Sequence, residues 1–217
     1  MPTIKYKLAD GTPIKGATTV SGQNIAWGKG GLMYWANKQG LEGNSLNDAR
    51  DTATVPGTIA HYLIECWLKE EEAKYEITWS EKDIKAGKSA FDNFLRWTEQ
   101  FQMEPIYIEP NLVSARYKYG GTPDVIARVM DRIALVDWKS GKFYESGFCQ
   151  LAAYTQLVQE NYDLEIEEYH ILRIPRDRKR PSFHHNFWEA PLPDEAWGSF
   201  ERALYLSEAQ KVLKQLL

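Results

Sequence analysis

Two carboxylates and an amine recur at short, regular spacing in GGTPDVIARVMDRIALVDWKSGK, residues 120–142. Two apolar runs flank Met130-Asp131-Arg132, so the stretch reads as a β-hairpin with Asp124 on one arm, and Asp137 and Lys139 on the other. With a turn at Asp131-Arg132, Met130 would pair with Ile133. Asp124 would then lie opposite Lys139, and Ile126 opposite Asp137. Side chains alternate faces along a strand, which puts Asp124, Asp137 and Lys139 on one face. Val125, Val129, Ala134, Val136 and Trp138 point the other way, toward packing. Two carboxylates held together repel by roughly 4 kcal/mol at about 4 Å in a medium of effective dielectric near 20. A hard divalent cation offsets that repulsion, because it takes carboxylate and carbonyl oxygens and keeps positions for water and phosphate. A lysine about 6.6 Å along the strand is too far to be a ligand but near enough to reach a phosphate oxygen. The set suits metal-assisted hydrolysis of a phosphodiester. Asp-x-Lys alone better fits a solvated strand end with a surface ion pair.

The elements around the hairpin must position these groups. Residues 1–20 read as a short strand and turn, 22–40 as a short aromatic helix ending at Gly40, and 41–56 as a polar loop. From Thr58, a plausible N-cap, Ala60, Leu63, Ile64, Trp67 and Leu68 repeat at helical spacing. Further helices fit 80–102, 144–161 and 193–217, and strands fit the segment entering the hairpin, 165–175 and 182–189. Helices, then a β-meander, then a helix crossing to more strands make an α/β fold with a mixed central β-sheet flanked by helices.

Composition narrows the classes. The 217 residues are 43% hydrophobic and 26% charged, which is ordinary for a globular chain and long enough for one large core. One domain, 1–217, is expected: an entry segment 1–56, a core 57–190 and a terminal helix 191–217. Net charge of −4 argues against a global polyanion-binding surface and leaves room for a local one. Two cysteines, Cys66 and Cys149, support neither a zinc site nor a four-cysteine cluster. No signal core or membrane-length apolar run is present, so an intracellular protein with no membrane partner is expected.

Four blocks together resemble the PD-(D/E)XK nuclease superfamily in its RecB-like exonuclease branch. They are Gly57-Thr58 through His61, Ile64 and Glu65; Gly121-Thr122-Pro123-Asp124; Val136-Asp137-Trp138-Lys139-Ser140-Gly141; and Gln150 with Tyr154. Order and spacing agree over roughly residues 57–154. The entry segment, with Gly16–Val20 and Leu32 with Trp35, is similar more loosely to phage and mitochondrial genome maintenance exonucleases. The resemblance implies a restriction-endonuclease-like core and a metal-dependent DNA exonuclease of phage or bacterial origin, cytoplasmic, serving recombination or repair and leaving 5′-phosphate products. An endonuclease on the same core and a non-catalytic nucleic-acid-binding module are the rivals. It further implies that Asp124, Asp137, His61 and the Trp138 backbone carbonyl hold Mg²⁺ or Mn²⁺, and that Lys139 completes the catalytic set with the two aspartates. Glu65 would support the metal ligands from behind. Gln150 and Tyr154 would contact nucleic acid or support the lysine; the residues alone leave an amphipathic helix margin equally open. The iron–sulfur subgroup of the branch needs four cysteines, so no iron–sulfur cluster is expected. DNA, single-stranded or with free ends, would be the partner, with room for a recombination or single-strand-binding protein beside it.

Two features lie outside the blocks. Arg176, Arg178, Lys179 and Arg180 sit in RIPRDRKRP, which suits a local phosphate track or a solvated loop. Trp27, Tyr34 and Trp35 have the rings to stack bases, and their spacing favours core packing. The 55 or so residues before His61, with the helix at 80–102, are expected to arch over the cleft and restrict cleavage to a free end.

Overall fold

The computed structural model describes residues 5–25, 27, 29–141, 143–175 and 183–217, with the side chain of Asp51 left out. The described chain begins with β1 (Tyr6–Lys7), β2 (Pro13–Gly16), α1 (Ala17–Asn24), α2 (Lys29–Leu41), α3 (Leu46–Leu68) and α4 (Glu81–Gln100). Next come β3 (Met103–Ile108), β4 (Leu112–Ser114), β5 (Tyr119–Gly121), β6 (Val125–Val129) and β7 (Arg132–Lys139). α5 (Ser146–Tyr162), β8 (Glu168–Arg173), β9 (His184–Glu189) and α6 (Asp194–Lys214) complete it.

The strands form a sheet in the order β1-β2-β5-β4 and a larger one in the order β3-β6-β7-β8-β9. β6 and β7 are antiparallel; α5 then crosses over, so β8 runs parallel to β7, and β9 returns antiparallel. This is the expected α/β fold with a mixed central sheet flanked by helices. Both faces of the larger sheet are covered. Val125, Val129, Ala134, Val136 and Trp138 pack with Ile64, Phe94 and Trp97 of α3 and α4. Ile126 and Leu135 pack with Leu151, Leu157 and Phe200 of α5 and α6. Burial on both sides explains why β6 and β7 read as nearly continuous apolar runs. β7 thus carries Asp137 and Lys139 at the end of a strand whose central residues, Ala134 through Val136, are buried.

Several local expectations need correction. The hairpin turn is Met130-Asp131, with φ of 47° and 72°, and the register is Val129↔Arg132 and Ile126↔Leu135. Two successive left-handed residues make the tight turn whose twist matches the strands, and it leaves Arg132 on the ladder. The pairings Met130 with Ile133, Ile126 with Asp137 and Asp124 with Lys139 therefore do not occur. The shift is two residues, so the assignment of faces survives. The segment 46–56, expected as loop, is the first half of α3, which begins after Ser45 and runs through Pro56. Its polar residues lack apolar periodicity, and the proline forfeits one backbone donor without ending the helix. Thr58 is thus mid-helix, its hydroxyl bonded back to the Thr54 carbonyl at 3.4 Å instead of capping. Residues 22–40 divide between α1 and α2.

The expected arch is half overturned. α4, N-capped by Ser80 accepting from the Asp83 N–H at 3.1 Å, buries Phe94 and Trp97 against the back of the sheet. α2 buries none of its residues. Trp27 and Tyr34 are exposed and Trp35 is half-buried, so the core reading of these three rings fails. The basic run Arg176, Arg178, Lys179 and Arg180 lies outside the described residues.

Candidate active site

Asp124 belongs to neither sheet ladder. It sits in the bend where the chain leaves β5 and enters β6, one residue before the Val125↔Val136 pair. Its carbonyl accepts from the Glu109 N–H at 3.0 Å, and its Oδ2 accepts from the Trp138 N–H at 3.0 Å. The first carboxylate is therefore fastened to the backbone of the strand that carries the second. Thr122, two residues earlier, is tied to the Tyr6 hydroxyl at 2.9 Å. Asp137 is 4% exposed, and Lys139 donates to its Oδ1 at 2.9 Å. Nζ also lies 2.7 Å from Oδ2, yet that buried oxygen receives no properly directed hydrogen bond. Proximity without direction leaves part of the carboxylate unsatisfied.

α3 brings His61 over the sheet edge to the same point. Its Nδ1 is 3.6 Å from Asp124 Oδ1, its ring meets the backbone of Trp138, and it packs edge-on to the Trp138 indole at 6.1 Å. Gly57, one turn earlier on α3, explains how the helix can come so close: a Cβ there would lie 2.6 Å from Ser140 Oγ, just past Lys139. On α5, the Gln150 amide donates to the Tyr154 hydroxyl at 2.9 Å, and the Tyr154 ring faces Gly121 so tightly that a Cβ there would come within 2.8 Å of it. The four sequence blocks thus converge: His61, Asp124, Asp137 and Lys139 share one site, with Gln150 and Tyr154 beside it.

Burial sets the charges. Burial first, and the neighbouring charge of Asp137 second, hold the Asp124 carboxyl well above the usual carboxylate range. Burial alone would lower Lys139, but the charges of Asp137 and Asp124 reverse this and keep its ammonium protonated. Burial, helped by Lys139, pushes His61 down to about 4, so its imidazole is neutral at physiological pH. Glu109 stands beside the site at a left-handed φ of 45°. Burial and the nearby Glu65 push its carboxyl up to about 7. Glu65 in turn pairs with Lys69 one turn along α3. The Glu109-Pro110 turn was the available signal, but only the fold shows it against Asp124.

The donor set fits a hard divalent cation in kind: carboxylate oxygens, a neutral imidazole nitrogen and a backbone carbonyl. The unsatisfied Oδ2 of Asp137 and the elevated Asp124 carboxyl both mark a deficit of positive charge. Among the described residues, no three His, Cys, Asp or Glu side chains already converge as a ready-made cage. Lys139 holds the Asp137 carboxylate instead. Cys66 and Cys149 are free and buried, on α3 and α5 respectively.

No family model matches the chain. No curated protein matches it significantly either. Among solved structures, LHK-Exo, crystallised in complex with dAMP, is similar over 74% of this chain and 82% of its own, at 13% identity and a TM-score of 0.44. A protein from Eubacterium rectale assigned provisionally as an exonuclease is similar over 72% of this chain and 65% of its own, at 8% identity and a TM-score of 0.45. At these identities and scores, no residue role or activity passes from either protein to this chain. No helix of the described residues is long and apolar enough to cross a membrane.

Proposed function

We propose that this chain is a divalent-cation-dependent DNA nuclease that hydrolyses phosphodiester bonds, working as an exonuclease on single strands or free ends. The observation that carries the reading is the junction of half-buried Asp124 and buried Asp137, the first fastened to the backbone of the strand that bears the second, with Lys139 and a neutral His61 around them. Asp124, Asp137, His61 and the Trp138 carbonyl would hold Mg²⁺ or Mn²⁺, which supplies Lewis acidity toward the phosphodiester and offsets the carboxylate repulsion. Lys139, hydrogen-bonded to Asp137 Oδ1, would position or activate the attacking water and stabilise charge on a non-bridging phosphate oxygen. His61 offers a ring nitrogen free of a proton across the physiological range. Gln150, fixed by Tyr154, stands next to Lys139 in the cleft and can orient the phosphate. Arg176, Arg178, Lys179 and Arg180 would extend a phosphate track beyond the site.

The test compares a linear and a circular single-stranded oligonucleotide with Mg²⁺ or Mn²⁺, using the Asp137→Ala chain as control. Loss of the linear strand with the circle intact supports the exonuclease. Equal rates on both would replace it with the endonuclease reading. No hydrolysis of either, with the wild-type chain folded, would sink the nuclease.

A further inference from the structure

A cleft of about 540 Å³ opens beside Lys139, between the α1–α2 corner and the start of α5. That volume lies within the roughly 300–1,000 Å³ of small-ligand sites. Trp27 and Trp35 form one wall and Tyr144 stands on the other, with Lys29, Lys139 and Gln150 along the lining. Trp27 is 51% exposed and Tyr144 46% exposed, so two large rings face solvent in one concavity. Neither belongs to the hydrophobic core clusters of the described residues, and α2 beside Trp27 buries none of its own. Phe143 makes the contrast. Its ring packs edge-on against Phe148 at 5.2 Å and lies near Trp188 at 5.9 Å, so it anchors the loop from which Tyr144 projects.

Charge narrows the occupant. Among the described residues the lining includes two lysines and no carboxylate, which disfavours a cationic ligand. Flat aromatic walls favour a flat apolar ring, and the lysines favour an anionic group attached to it. Lys139 and Gln150 belong both to this cleft and to the candidate active site, so the anionic end of the occupant would lie toward Asp137. A peptide or lipid would use the rings but not the shared lysine. A nucleotide uses both. In a duplex the ring faces are already stacked and paired, so the base must be unpaired to enter.

We infer that the cleft is a stacking site for the unpaired base of the nucleotide next to the scissile phosphate, which makes single-stranded or frayed ends the substrate class. The inference rests on the nuclease reading only for the position of that phosphate. The test uses the full chain with EDTA present and a single-stranded oligonucleotide carrying 2-aminopurine, whose fluorescence falls on stacking. Quenching on binding is expected with the wild-type chain. Trp27→Ala and Tyr144→Ala should bind roughly 5- to 100-fold more weakly, the range one stacked base is worth, and lose the quench. Tyr205→Ala, at an exposed ring on α6 outside the cleft lining, should leave both unchanged. A wild-type measurement independent of variant folding replaces the base nearest the cleavage position with an abasic residue; KM should rise with kcat little altered. Quenching in EDTA by a chain that hydrolyses nothing once Mg²⁺ is supplied in excess would sink the nuclease and keep the stacking site. Hydrolysis with quench and affinity unchanged in both variants would overturn the stacking site alone. So would an abasic strand cut as readily as the parent, or a blunt duplex competing as well as a single strand.

Discussion

β7 carries a polar cluster at each end, and the two are built on opposite terms. At its start, Arg132 donates to Glu168 at 2.8 Å, Glu168 meets His170 at 3.1 Å, and His170 meets the His185 ring at 2.8 Å. No buried side-chain atom of those four residues is without a partner among the described residues. At its end, Asp137 keeps one oxygen unsatisfied, Asp124 is held partly against ionisation, and Lys139 answers two carboxylates alone. A completed network stabilises a fold; an incomplete one of like charge costs stability until something else binds. The same sheet tolerates both, which identifies the far end of β7 as the place where stability has been given up.

The sharpest way to break this contrast is at the acidic end. Asp124→Ala, Asp137→Ala and Lys139→Ala should each lower the cleavage rate by on the order of a thousandfold. Asp124→Asn should in addition raise the stability of the cation-free chain by about 1 kcal/mol, read as a higher Tm. A less stable Asp124→Asn would mean that this cluster is as well satisfied as the other. The histidines sharpen it further. His61→Ala should weaken Mn²⁺ binding by roughly 10- to 100-fold in calorimetry with little change in Tm. His170→Ala should do the reverse, costing roughly 1–3 kcal/mol of stability and leaving cleavage intact. Exchange of these outcomes would reassign both residues.

The smallest effect is a difference of sign with pH. Glu109 and Asp124 have folded-state values above their ordinary ones, so the folded chain binds the extra protons. Cation-free stability from this cluster should therefore fall as pH rises out of the carboxylate range, through about 7 for Glu109. His185, pushed down to about 4 by burial and then by His170, gives the opposite slope. Its contribution is present above about 6.5, the ordinary histidine value, and is lost on acidification toward 4. Tm measured against pH should show a shallower falling limb in Glu109→Gln and a shallower rising limb in His185→Gln, with Asp124 and His61 carrying the remainder. Identical profiles for the two variants would remove the distinction.

Much of the acidic end was legible from residue types alone. Alternation along two short strands put Asp124, Asp137 and Lys139 together, and helical spacing put His61 and Glu65 on the margin of an apolar stripe. What the sequence hid was non-local. Ser45 through Gly57 carries no apolar rhythm, so its helix was invisible beside Pro56. The rings of Trp27, Tyr34 and Trp35 look like core material in composition, and only tertiary placement shows that α2 packs against so little. The place of Glu109 beside Asp124 depends on a left-handed turn and a register no local pattern encodes. The His170–His185 pair was not singled out at all, because its partners come from adjacent strands rather than from neighbouring positions.

The tight Met130-Asp131 turn has an evolutionary consequence. Because faces along β6 and β7 repeat every second residue, lengths altered by two in the turn keep Asp137 and Lys139 on their side of the sheet. A slip of β7 by one residue against β6 would exchange Asp137 with Val136 and Lys139 with Trp138, placing an indole where the ammonium stands and a carboxylate among Phe94 and Trp97. A one-residue change at this hairpin should therefore persist only where the turn absorbs it without moving that register.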